Sequence, residues 1–246
     1  MPSDLAALRG EPSYVWRAGQ ERQYALIARY ARLDDARVLI DGIGLGLFAG
    51  KIRERATPHV TGMDIEPERV RQAQTRAPLA LVGAAEALPY PANYFDTLLS
   101  HEVIEHVQDD RQSAREMVRV LKPGGRLVLF CPNRWYPFET HGHYWRGVYH
   151  FGNTPFINYL PDALRNRLAP HVRAYTRRRL LRLFDDLPVR LVHYRRIYAA
   201  YDNWIARLGA PARVARDWLH RLEQTPLDTW GMSHLLVLEK LAPPAA

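Results

Sequence analysis

The stretch from Arg37 to Gly50 constrains the fold more than any other, because it reads as a strand, a sharp turn and a helix in succession. Val38-Leu39-Ile40 is a short run of β-branched and aliphatic residues. Asp41-Gly42-Ile43-Gly44-Leu45-Gly46 follows at once, and Leu47-Phe48-Ala49-Gly50-Lys51-Ile52 opens a helix. Glycines at alternate positions allow positive φ and remove the Cβ atoms that would hold a ligand away from the backbone. Asp41 stands at the carboxyl end of the strand, where it can accept hydrogen bonds from a cationic ligand group. The Lys-Ser or Lys-Thr of a phosphate loop is missing. Gly44-x-Gly46-x-x-Ala49 also fits a dinucleotide fingerprint, with Asp64 downstream for a ribose hydroxyl, and a tight turn with no ligand is the third reading. The turn by itself does not choose among them.

The rest of the chain alternates strands with helices. A helix is expected from Gln20 to Leu33, beside the first strand, with residues 1–13 loosely ordered and Tyr14 and Trp16 placed to cover a pocket or fill a groove. Further strands are expected at Val60–Asp64, Leu79–Val82, Tyr94–Ser100 and Arg126–Phe130. Helices are expected from Pro67 to Arg76 and from Asp110 to Leu121, with Pro at a favoured first turn and Lys122-Pro123-Gly124-Gly125 as a breaker. His101–His106 is expected to lie where a strand gives way to a helix. Such alternation implies a parallel sheet with helices on both faces, which binds ligands at the carboxyl ends of its strands. From Pro132 to Pro170 the pattern gives way to aromatics, histidines, Gly and Pro, as in a functional lid. A helix at Arg177–Phe184, a strand from Val189, a helical stretch at Tyr198–Glu223 and a strand at Ser233–Glu239 complete the chain.

At 246 residues and 47% hydrophobic content the chain suits one domain with a substantial core. No run of 18 apolar residues and no signal-like N-terminus occurs, so the expected location is cytoplasmic. Cys131 is the sole cysteine, which excludes an internal disulfide and argues against a zinc cluster.

Six signals in order, Val38-Leu39-Ile40-Asp41-Gly42-x-Gly44-x-Gly46, Gly62-Met63-Asp64, Glu86-Ala87-Leu88-Pro89-Tyr90, Tyr94-Phe95-Asp96, Glu102-x-x-Glu105-His106 and Leu121-Lys122-Pro123-Gly124-Gly125, resemble the class I S-adenosylmethionine-dependent methyltransferases of the type 11 group. The resemblance covers roughly Val38 to Pro132. It implies a Rossmann-like, seven-stranded, mostly parallel sheet with an antiparallel edge strand supplied by Ser233–Glu239. The cap would be 1–36 and the cofactor core 37–132, with insertions at 133–176 and 199–230 over the cofactor mouth. It also implies S-adenosylmethionine as cofactor, held by Asp41, Gly42, Gly44 and Gly46 at its amino-acid end and by Asp64 at its ribose. Ile65, Ala85, Glu86, Ser100 and His101 would complete that site. The acid that the family commonly has at the position of Ala84 is absent here.

Transfer of a methyl group to a hydroxyl needs its proton removed, for which a neutral imidazole suits pH 7. His101, directly after the fourth strand, is the first candidate, followed by His141 and His143 in the aromatic stretch. Glu102, Glu105 and His106 would share one face of a helix and could hold a metal with His141, although many relatives carry the same motif with no known metal, and none is assigned. The expected acceptor is small and apolar or aromatic, methylated at oxygen. The alternatives are an RNA methyltransferase and a catalytically silent binding subunit.

The net charge of +8 is concentrated: fourteen arginines lie between Arg165 and Arg221 against Asp185, Asp186, Asp202 and Asp217. Charge is the only support for nucleic acid. Ile197, Tyr198, Tyr201, Trp204, Ile205 and Leu208, with Arg195, Arg196, Arg207, Arg213 and Arg216 around them, suit a helix that either packs as ordinary core, the preferred reading, or makes weak peripheral contact with an anionic membrane. Nothing in the sequence sets an oligomeric state.

Overall fold

β1 (Val38–Asp41) is buried along its whole length in a computed structural model that describes residues 15–223 and 225–242. Residues 1–13 and Tyr14, whose placement was among the expectations, lie outside that range. Before β1 comes α1 (Ala18–Tyr30), which turns Tyr24 and Ile27 inward. After it come α2 (Leu47–Arg55), β2 (Val60–Asp64), α3 (Pro67–Ala73), β3 (Leu79–Val82), β4 (Phe95–His101), α4 (Asp110–Val120) and β5 (Leu121–Pro132). α3 starts with its proline in the first turn, where the missing N–H costs nothing. Asp109 caps α4 by accepting from the Gln112 N–H at 2.9 Å.

Segment 133–176 is more regular than its composition suggests. β6 (Phe138–Glu139) pairs with β9 (Thr154–Pro155), β7 (His143–Trp145) pairs with β8 (Val148–His150), and α5 (Asp162–Leu168) follows. These strands are two or three residues long, too short for a period of two to show in sequence. Beyond them lie α6 (Arg177–Leu181), β10 (Val189–Ile197), α7 (Asp202–Leu208), α8 (Ala210–Leu222) and β11 (Ser233–Lys240). The helical stretch expected at Tyr198–Glu223 is thus two helices broken at Gly209, whose φ of 64° few side chains tolerate. Ile197 belongs to β10 and Tyr198 is buried, so both leave the apolar stripe assigned to that helix.

The sheet runs β10-β11-β5-β4-β1-β2-β3, with every neighbouring pair parallel except those of β11. The mostly parallel fold is as expected, but the antiparallel strand is not at the edge. β11 lies between β5 and β10, which takes the edge. Leu235–Leu238 is a continuous apolar run buried on both faces, as an inner strand requires, whereas Arg190, Leu191 and Val192 of β10 are exposed. β5 also begins earlier than the breaker suggests. Phe95 pairs with Leu121 and Thr97 with Arg126, so Lys122–Gly125 is a bulge within the strand.

Alternation along β1 divides the core. Val38 and Ile40 meet Ile27, Ile52 and Val70 of α1, α2 and α3, while Leu39 faces Met117 and Val118 of α4. Fully burying each such aliphatic side chain is worth about 1.5–3 kcal/mol. Because the chain leaves β1 toward β2 and β3 and then returns past β1 to β4, the connections on its two sides run in opposite directions and open a crevice at its carboxyl end.

Candidate active site

That crevice is a cavity of about 1410 Å³, lined at one end by Asp41–Leu45, Asp64, Ile65 and Gly83–Glu86. The other end is formed by His101, Glu102, Glu105, His106, Thr140, His141 and His171. Gly42 has φ 73°, and a Cβ there would meet the Val103 side chain at 2.1 Å, so only glycine fits. Asp64 closes the turn from β2: Oδ2 accepts from the Gly44 N–H at 2.9 Å and Oδ1 from the Glu66 N–H at 3.0 Å. Two fixed N–H donors orient the carboxylate, and the remaining lone pairs of such a group suit hydroxyl donors.

Asp41 is 1% exposed and accepts from the Ser100 hydroxyl at 3.3 Å. Burial pushes its carboxyl up to about 7, against the lowering by Ser100 and with further raising by Asp64 and Glu86. No cationic side chain pairs with it among the described residues. A buried carboxylate in that state fits an ammonium from a ligand. Ser100 therefore acts from beneath the cavity, through Asp41. Glu86 Oε1 accepts from the N–H groups of Gln108 and Asp109, and its carbonyl from Gln112 at 3.3 Å, tying two rim loops together. Gly46 is left-handed at the start of α2 and supports the turn from behind.

At the other end the expected helix does not form. β4 ends at His101, Glu102 takes a left-handed φ of 55°, and Val103–His106 is a turn. The i, i+3, i+4 spacing thus reflects a tight turn, in which Tyr175 and Arg173 satisfy the backbone: the Tyr175 hydroxyl donates to Ile104 O and the Arg173 N–H to Glu105 O. Glu102 Oε1 accepts from the Ser233 hydroxyl at 3.0 Å, leaving Oε2 3.8 Å from His141 Nε2. Glu105 is 1% exposed, and neither of its carboxylate oxygens has a hydrogen-bond partner. Burial, then Glu102, raises its carboxyl well above the usual range. His106 is held down to about 3 by burial and by His141, so its ring is neutral near pH 7.

His141 is held in place from behind. Its Nδ1 lies 3.2 Å from Glu139 Oε1, which also accepts from the His141 N–H at 3.0 Å. Burial would raise the Glu139 carboxyl, but the His141 bonds and Arg165 hold it near 2. Arg165, 2% exposed, donates from Nη2 to Glu139 at 2.7 Å, from Nε to Asn158 at 3.1 Å and from Nη1 to Val172 O at 2.8 Å. With Nδ1 engaged by Glu139, Nε2 faces Glu102 and Glu105. Single ligand atoms of Glu105, His106 and His141 lie within 4.8 Å of one another, so the cluster has the donor set and the size for a divalent cation.

Two other histidines stand apart. His101 lines the cavity between the rings of Phe48 and Phe130, with Nε2 unpartnered and its basicity lowered by burial. His143 stacks on His150 in the β7–β8 hairpin and bonds Thr154, outside the cavity lining. Gln20 and Gln23 of α1, Phe48 and Arg69 also line the cavity and carry no sequence motif that marks them.

A family of methyltransferase domains matches residues 40–129, and this stretch holds the turn, Asp64 and the Glu102–His106 segment. Residues 40–129 are thus similar to a methyltransferase domain. Among curated relatives, the chloroplastic 2-methyl-6-phytyl-1,4-hydroquinone methyltransferase of Arabidopsis thaliana is 35% identical over 103 residues, 40% of this chain and 30% of that protein. Ajmaline N-methyltransferase of Rauvolfia serpentina is 34% identical over 96 residues, 36% of this chain and 33% of that one. The matches therefore span about a third of each relative's length. A solved S-adenosylmethionine-dependent methyltransferase from Mesorhizobium loti shares the fold, with a TM-score of 0.62 and 19% identity over 88% of this chain and 96% of that one. The residues around the crevice fit that cofactor: a buried acid without a cationic partner among the described residues for an ammonium, an oriented carboxylate for hydroxyls and a left-handed glycine turn beside them.

Proposed function

We propose that this chain transfers the methyl group of S-adenosylmethionine to an oxygen of a small, apolar or aromatic acceptor. Asp41 and the Gly42–Gly46 turn would hold the amino-acid end, Asp64 the ribose, and the Ala85–Glu86 backbone the adenine edge. Bound cofactor supplies an already activated methyl group, so the protein's share is to orient the acceptor, exclude water and take a proton. The observation that carries oxygen as the accepting atom is His141, backed by Glu139 and Arg165, with Nε2 turned into the cavity. His141 Nε2 would take the acceptor's hydroxyl proton as its oxygen receives the methyl group, and Glu139 would stabilise the resulting imidazolium.

A second reading gives the same cluster a divalent cation that lowers the hydroxyl pKa. The unpartnered Glu105 carboxylate favours it. Nucleic acid is the weaker alternative, because the arginines do not form one open basic face. Arg165, Arg173, Arg179, Arg190, Arg196 and Arg216 each pair with a carboxylate. The test is incubation of a cell extract with isotopically labelled cofactor, followed by mass spectrometry. Label on an oxygen of a small apolar product is the expected result. Label on nitrogen, carbon or RNA, or no transfer, would refute the assignment.

A further inference from the structure

Five of the six tryptophans are open to solvent: Trp135, Trp145, Trp204, Trp218 and Trp230 are 46–61% exposed. Tryptophan is ordinarily among the more deeply buried side chains, and its enrichment at a surface is typical of membrane–water interfaces. All five lie in segments 133–176 and 199–230, outside the sheet.

The densest part is the helix pair α7–α8, in which Ala212 is the one buried residue. Trp204 and Leu208, one turn apart on α7, are exposed, as are Val214 and Trp218, one turn apart on α8. A surface helix normally turns such residues to the core. Arg207, Arg213 and Arg221 are exposed beside them, and no carboxylate lies within ion-pair distance of any of the three among the described residues. Arg221 lies over the Trp218 ring at 5.3 Å, so charge and aromatic surface are presented together.

α7 is tied to one wall of the cavity. Asp202 of α7 accepts from the Gly19 N–H at 3.1 Å and Asn203 accepts from Arg17 at 3.0 Å, tying α7 to α1, whose Gln20 and Gln23 line the cavity. Elsewhere on the rim, Phe151 lines the cavity while 59% exposed, at the base of the hairpin whose tip carries the exposed Trp145, Arg146 and Val148. No helix among the described residues is long and apolar enough to cross a membrane, so the contact is at the surface.

We propose that α7 and α8 dock this protein on an anionic lipid surface, with tryptophans in the headgroup layer and arginines on lipid phosphates. The charge selects anionic lipid, and the exposed aromatic face supplies the insertion.

Co-sedimentation tests it with vesicles of phosphatidylcholine containing roughly a third phosphatidylglycerol, against pure phosphatidylcholine. The expected result is binding to the anionic vesicles alone, weakened at least fivefold between about 50 and 500 mM salt as the Debye length shrinks. The Trp204→Ser/Trp218→Ser and Arg207→Glu/Arg213→Glu pairs should each lower binding about tenfold. Both pairs sit on exposed positions, and circular dichroism checks that they stay folded. No binding at low salt, or binding indifferent to both pairs, would overturn the proposal. So would sedimentation equilibrium showing a dimer that the Trp pair dissociates, which would give the face to a second copy. Vesicle binding needs neither cofactor nor acceptor, so its failure leaves the methyl-transfer reading untouched.

Discussion

The two ends of the cavity are built in different ways. At the cofactor end, Asp41, Gly42, Gly44 and Asp64 come from adjacent parallel strands and one turn; the Gly44–Asp64 bond spans one strand–helix–strand unit, and Asp41 is met by Ser100 of the neighbouring strand β4. At the acceptor end, His141 is set by Glu139, and Glu139 by Arg165 from a separate helix, while Glu102 is held by Ser233 from β11. The first end is fixed by the sheet itself. The second depends on side-chain bonds that join a loop, a helix and β11, and substitutions there should therefore disturb stability and chemistry together.

The largest expected effect is at Arg165→Met. It strands the Glu139 carboxylate in a dry site, and breaking a buried ion pair from one side costs about 3–5 kcal/mol. Thermal unfolding should show a drop of about 6–20 degrees. A change of under two degrees would mean that the ion pair does not hold the segment.

Asp41 gives the converse case. Its carboxyl is raised from 3.8 to about 7 in the folded chain, so its contribution to stability is fully present below the unfolded value and is lost as pH rises through about 7. Relative to the unsubstituted chain, Asp41→Asn without cofactor should become more stable as pH rises from about 4 to 7, while its cofactor affinity falls at least tenfold at pH 8. Parallel melting curves at several pH values check the sign. A difference that shrinks with pH would contradict the burial argument.

At Glu105 the effect is compositional. If the cation reading is right, elemental analysis should find about one equivalent of Mg, Mn, Fe or Zn, lost in Glu105→Gln. If His141 works alone, no metal should co-purify and Glu105→Gln should keep a measurable rate. The smallest effect belongs to His143→Ala. Outside the cavity lining, it should leave kcat and KM within twofold, and a loss beyond tenfold would move the acceptor site into the β7–β8 hairpin.

The same contrast explains what the sequence made legible. The turn and its flanking elements were readable because they are local, as was the succession of strands and helices along the chain up to β5; the Gly44–Asp64 bond was not among the expectations. The Glu102–His106 spacing carried a true convergence under a false helix, since a turn entered by a left-handed residue gives the same offsets. His141 could be suspected from its neighbours in the aromatic stretch. Arg165 could not: its partners, Glu139 and Val172, lie on either side at distances that no periodicity marks. β11 was recognised as a strand but misplaced, because an apolar run reveals burial and not which neighbours supply it.

Titration calorimetry of S-adenosylmethionine tests most directly whether the two ends are separable. The protein should bind the cofactor, Asp64→Asn should lose more than tenfold in affinity, since a hydrogen bond to a charged group is worth about 1.5–3 kcal/mol, and His141→Ala should bind as tightly as the parent. Equal losses in the two variants, or a parent that prefers a nicotinamide dinucleotide, would contradict this account.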